Sequence, residues 1–195
     1  MNVTGILNGI KKHVALTNEE AQFLSASLNH TRLDQGEYIE VSGEISNSLI
    51  YVHSGCLMTY FTQTTGTDQV IQFSTAGWWT GDLSSLTSGE PSSYTTRALT
   101  SCELLLLPKI RMDELLQRYP VFEKYFRIIF QNSLITHQNR IIQAFTHTAD
   151  ERYQNFQQQY PQLEQFVPLK YIASYLGMTP EFLSKIRRNR TKGKS

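Results

Sequence analysis

The spacing of apolar residues changes character three times along the chain. Thr17-Asn18-Glu19-Glu20 is a capping box, and Ala21, Leu24 and Leu28 follow it at helical spacing, so an amphipathic helix is predicted to end near Leu28. From Thr31 the period shortens. Runs rich in β-branched and aromatic residues at 37–41, 49–52, 57–62 and 70–73 are separated by Gly36, Gly43, Gly55, Gly66 and Gly77. Residues 95–98 and 102–107 read as closing strands, with Pro108 ending the last. Short strands at regular intervals with glycine turns between them predict an antiparallel sandwich or barrel.

Beyond the strands glycine disappears: none occurs between Glu90 and Leu176. A short amphipathic piece at 112–116 precedes a break at Tyr119-Pro120, and Val121 to His147 contains neither proline nor glycine. A long helix is predicted there with two apolar lines. Phe122, Phe126 and Ile129 make one; Phe130, Leu134, Ile141 and Phe145 make the other. Two lines require two partners, the β-domain and the same helix of a second subunit, although a C-terminal helix would also serve as the second cover.

The last periodic stretch is PLKYIASYLGMTPEFLSKIRRNR. Leu169 to Leu176 is helical in pattern, Gly177 breaks it, and Thr179-Pro180-Glu181 opens a second helix with an N-cap residue, an N1 proline and an early carboxylate. Ile172, Leu176, Met178, Leu183 and Ile186 fall where two such helices touch, and Ala173 is small at the crossing. This is a helix-turn-helix pattern. Glu181, Ser184, Lys185 and Arg188 share the opposite, exposed face of its second helix.

Charge sharpens this reading. Residues 169–195 hold seven Lys or Arg against one acid, a net of +6, in a chain whose total is +1, so residues 1–168 carry −5. Positive charge concentrated in one small module marks a polyanion binder, here duplex DNA. A solvated C-terminal helix with a basic tail is the plainer reading. The chain's 195 residues and 40% hydrophobic content suit one large or two small globular domains. Neither a signal peptide nor a membrane span is visible, which makes the cytoplasm the expected compartment. Cys56 and Cys102 sit in apolar runs and are expected as buried thiols; two cysteines cannot hold an iron–sulfur cluster. The five histidines are scattered, so neither metal catalysis nor any cofactor is expected, and no nucleophile motif or glycine-rich phosphate loop is present. Glu40 and Glu44 flank a turn glycine and read as solubilising residues, Trp78-Trp79 as core, and Gln157-Gln158-Gln159 as a polar helix face or connector.

The order helix, glycine-punctuated β-sandwich, long helix and helix-turn-helix, with Gly81-Asp82-Leu83 and Arg97-Ala98, resembles the Crp/Fnr family of transcription regulators. The resemblance implies an α+β fold: an antiparallel β-sandwich or jelly-roll sensor domain over 1–118, a dimerisation helix over 119–147 and a DNA-binding helix-turn-helix domain over 148–195. It also implies a homodimer through Val121 to Phe145, duplex DNA and RNA polymerase as partners, and an unidentified small-molecule effector. No enzymatic activity is implied. The family's cyclic-nucleotide binders carry Gly-Glu-Leu followed by Arg-Ser-Ala. Here the matching effector-pocket residues are Gly81, Asp82 and Leu83, then Ser92 and Ser93 with Tyr94 after them, so the phosphate-binding arginine is replaced by Ser92. A serine offers one neutral donor where a guanidinium offers a charged fork, so tight cyclic AMP binding is not expected. Arg97, an odd number of residues from Ser92, would face the other way on a regular strand.

The DNA-binding positions implied are Thr179, Glu181, Ser184, Lys185 and Arg188. Glu181 and Lys185 match the family's acidic and basic base-contacting positions, while Pro180 stands at its first-turn arginine and few residues remain for a wing after Arg190. The alternative is a signalling or scaffold protein that keeps the β-domain for a ligand or partner and has lost operator reading.

Overall fold

A computed structural model describes residues 3–192. The chain divides into two compact units, Met1–Thr59 with Phe73–Ser133, and Tyr60–Gln72 with Leu134–Ser195.

The first unit is built on two antiparallel sheets. The elements in order are α1 (Thr4–Lys11), α2 (Asn18–Ser27), β1 (Asn29–Leu33), β2 (Tyr38–Glu40), β3 (Ser48–Ser54), β4 (Cys56–Thr62), β5 (Asp68–Thr75), β6 (Trp79–Thr80), α3 (Leu83–Ser88), β7 (Thr95–Ala98), β8 (Cys102–Pro108), α4 (Lys109–Arg118) and the start of α5 (Pro120–Thr146). One sheet runs β1-β8-β3-β6, the other β2-β7-β4-β5. Strand alternation explains why β3 and β8 read as unbroken apolar runs. Ile50, Val52 and Leu104 face the sandwich interior with Leu33, Leu57, Ala98 and Cys102. Their neighbours Leu49, Tyr51, Leu105 and Leu107 face the helices instead, against Ile6, Ile10, Leu24, Leu115, Phe122 and Phe126. Both faces of these strands are therefore dry.

The Thr17 capping box forms as expected, with Thr17 Oγ1 accepting from Glu20 N–H and Glu20 accepting from Thr17 N–H. Helix α1 was not foreseen. Gly5 and Gly9, poor helix formers, lie one turn apart and face His53 and Tyr51 of β3, while Ile6 and Ile10 bury fully. Cys56 and Cys102 are buried free thiols, and burial raises the Cys56 pKa to about 12. Trp79 is half-buried, donates to the Tyr125 hydroxyl at 2.8 Å and meets Phe126 edge to face, as a core role requires.

The second unit contains the rest of α5, then α6 (Ala149–Gln159), a 3₁₀ turn at Leu163–Gln165, α7 (Leu169–Leu176) and α8 (Pro180–Lys192). Thr148 and Glu151 form a second capping box at the start of α6, so the glutamines read as a polar face or connector end a helix. Residues 60–72 of the β4–β5 hairpin belong to this unit. The Ser174 hydroxyl of α7 donates to the Asp68 carbonyl at 3.1 Å and accepts from Val70 N–H at 2.9 Å. Arg140 of α5 donates to the Ile71 carbonyl and lies 4.8 Å from the Tyr175 ring centre. Among the described residues no helix is long and apolar enough to cross a membrane, and no group of three or more His, Cys, Asp or Glu is placed to hold a metal.

Candidate nucleic-acid interface and effector cassette

Helices α7 and α8 meet through a turn at Gly177, whose φ of +67° is the left-handed conformation that ends α7; Met178 N–H then bonds the Ala173 carbonyl at 3.0 Å. Thr179 caps α8, its hydroxyl accepting from Phe182 N–H at 3.2 Å. Ile172, Ala173, Leu183 and Ile186 are buried between the helices. Against that seam Glu181, Lys185 and Arg188 are exposed and Ser184 is half-buried. The predicted face is thus brought together on α8, with Thr179 at its start. Arg187 is exposed beside it and Arg190 lies 3.9 Å from Asp150.

The effector-pocket residues lie on the Gly81-Asp82 turn and α3, and on the strand entry before β7. Gly81 has φ +136°, and a Cβ there would crowd the Ser48 carbonyl at 3.4 Å. Asp82, 5% exposed, caps α3: its Oδ1 accepts from Ser84 N–H and Ser85 N–H at 2.9 and 3.1 Å, and its Oδ2 accepts from the Ser92 hydroxyl at 2.8 Å. Ser92 is buried, whereas Leu83 and Ser93 are exposed. Asp82 and Ser92, which stand at the family's glutamate and arginine positions, are therefore bonded to each other.

Glu40, expected as a solubilising residue beside a turn glycine, is only 8% exposed. The cause is a bulge: Tyr38 pairs Arg97 and Glu40 pairs Thr96, so Ile39 is the extra residue and turns Glu40 inward although Tyr38, two residues before it, is half exposed. Glu40 Oε1 accepts from the Ser46 hydroxyl at 2.7 Å and from Asp82 N–H at 3.0 Å; Oε2 accepts from the Thr96 hydroxyl at 3.0 Å. Thr96 is in turn 3.0 Å from the Thr59 hydroxyl. Glu40, Ser92, Ile39, Ile45 and exposed Glu44 help to line a cavity of about 170 Å³, and no Lys, Arg or His is among its lining residues.

Apolar side chains on α5 fall into two groups. Phe122 and Phe126 are buried and Ile129 and Phe130 pack on the same core, so Phe130 leaves the second line for the first. Leu134, Ile135, Ile141, Ile142 and Phe145 stay 58, 53, 57, 55 and 86% exposed.

The chain thus carries two antiparallel sheets with flanking helices, then the long helix α5 and the α7–α8 pair. Residues 30–119 match the cyclic nucleotide-binding domain family. No curated protein matches the chain. Among solved structures it is similar to the c-di-GMP responsive global regulator CLP of Xanthomonas campestris (14% identity, covering 91% of this chain and 93% of that one, TM-score 0.71). It is also similar to FixK2 of Bradyrhizobium japonicum (18%, 85% and 86%, TM-score 0.71) and to a crp/fnr family transcriptional regulator from Eubacterium rectale (17%, 91% and 85%, TM-score 0.70). The fold is that of Crp/Fnr family regulators.

Proposed function

We propose that the chain is a sequence-specific DNA-binding transcription regulator of the Crp/Fnr type, acting in the cytoplasm as a homodimer built on α5, with RNA polymerase as its onward partner. The observation that carries this reading is the pairing of a buried α7–α8 seam with an exposed, mostly basic outer face on α8. Lys185 and Arg188 reach base edges or adjacent phosphates, Glu181 reads a base, and Thr179 and Ser184 support them. The apolar residues left open on the second half of α5 are the surface a second copy covers, and a two-fold protein suits a two-fold operator. The cassette of Gly81, Asp82, Leu83, Ser92 and Ser93 keeps the family's frame without a guanidinium for a phosphate, so the β-domain senses a different effector or none and does not hold cyclic AMP tightly. Selection of duplexes from a random pool by the purified protein tests this function.

A further inference from the structure

Glu40 is a buried carboxyl group that the proposed function does not use. We propose that its carboxylate is the resident anion of the effector cassette: it takes the donors that an anionic ligand would need, and so decides that the β-domain excludes such ligands. This deepens the reading of residues 81–93 as the family's cassette and rests on it.

Three donors converge on the carboxylate from separated parts of the chain: the Ser46 hydroxyl, the Asp82 backbone N–H and the Thr96 hydroxyl. The Asp82 N–H belongs to the Gly81-Asp82 turn of the cassette, in which Gly81 takes a φ of +136° that favours glycine. The neighbouring hydroxyl donor, Ser92, is spent on Asp82. A phosphate entering the cavity would thus meet the Glu40 carboxylate, whose donors are already engaged, with Glu44 as a second acid along the lining. Charge repulsion at low local dielectric and the loss of made hydrogen bonds both oppose it. The bulge at Ile39 sets this arrangement, because without the extra residue Glu40 would share Tyr38's face.

A resident anion can be replaced by a free one, which a purely packing role does not allow. The test is thermal unfolding of the full chain as wild type, Glu40→Ala and Glu40→Gln, with and without formate, and chloride at equal ionic strength as control. Formate supplies a carboxylate of the right size to the space left by Glu40→Ala. At about 0.2 M it should raise the midpoint of that variant by about 3 °C beyond its effect on wild type. Glu40→Gln fills the space and should respond like wild type. An equal response in all three proteins overturns the proposal. Should Glu40→Ala be unfolded in plain buffer, recovery of native ellipticity in formate supports it, and failure to recover while Glu40→Gln folds overturns it. The readout is independent of operator binding, so its failure would leave the DNA-binding reading standing, and loss of DNA binding would leave this one standing.

Discussion

Replacing Ile141 by Asp should dissociate the dimer. On the second half of α5 the positions 134, 138, 141 and 145 repeat at intervals of four, three and four, while 135 and 142 lie seven apart. Gln138 is the polar member, and the other five side chains are more than half exposed. This is a heptad seam. Full burial of such a side chain stabilises by about 1.5–3 kcal/mol, so covering the remaining half gives about 1 kcal/mol for each Leu or Ile and about 2 for Phe145. Two copies then gain about 12 kcal/mol before the cost of association, which is about 4 kcal/mol at the low end, leaving a dimer that forms at micromolar protein. Ile141→Asp removes about 2 kcal/mol of burial across the pair. It also sets two carboxylates within about 6 Å in a half-dry seam, a repulsion of up to about 3 kcal/mol. Dimerisation should weaken by roughly thirty-fold to a few thousand-fold. Sedimentation velocity over about 1–100 µM reads this directly, with circular dichroism to show that the fold survives and Ser133→Asp, exposed and off the seam, as a charge control. A wild-type protein that stays monomeric throughout, or an Ile141→Asp protein as dimeric as wild type, would refute the reasoning.

On DNA, Lys185→Ala and Arg188→Ala should each lower affinity, and each lost phosphate contact should flatten the slope of log K against log salt by about 0.9; unchanged titrations would remove both residues from the interface. Stability of the second unit should fall in mild acid because of His137. Burial, and then the Arg140 guanidinium, hold its imidazole below the ordinary value of about 6.5. The unfolded chain therefore binds the proton more readily, so this contribution is complete above about pH 6.5 and is lost as pH falls through the lowered folded value. His137→Gln should remove that part of the pH dependence of the melting temperature, and an identical profile would contradict the assignment.

Features fixed by local chemistry were legible in the sequence. The Thr17 box, the break at Tyr119-Pro120 before the long helix and the glycine that ends α7 act within a few residues; the first and last formed where their signals lay, while Pro120 itself became the first residue of α5. Two further local signals were present and passed over: Thr148 with Glu151 at the start of α6, and Asp82 with Gly89 bracketing α3. Other features had no local signal. Nothing near Gly5 announces that α1 needs to lie close to β3. The inward turn of Glu40 depends on a bulge, and one inserted residue reverses the face of every side chain after it. The docking of Asp68 and Val70 on Ser174 joins positions about a hundred residues apart. In the cassette the sequence located the missing guanidinium at Ser92 but not the partner of Ser92, because Asp82 turns toward α3 as its cap.

Operator selection with the full chain tests the central claim most directly. A random duplex pool is taken through rounds of binding at near-physiological salt and sequenced, with the Lys185→Ala, Arg188→Ala double variant run in parallel. The account predicts enrichment of one inverted repeat whose half-sites lie about one helical turn, roughly 34 Å, apart, with the double variant losing that enrichment. A pool that stays random with wild type, or a double variant that enriches the same repeat as strongly, would contradict it.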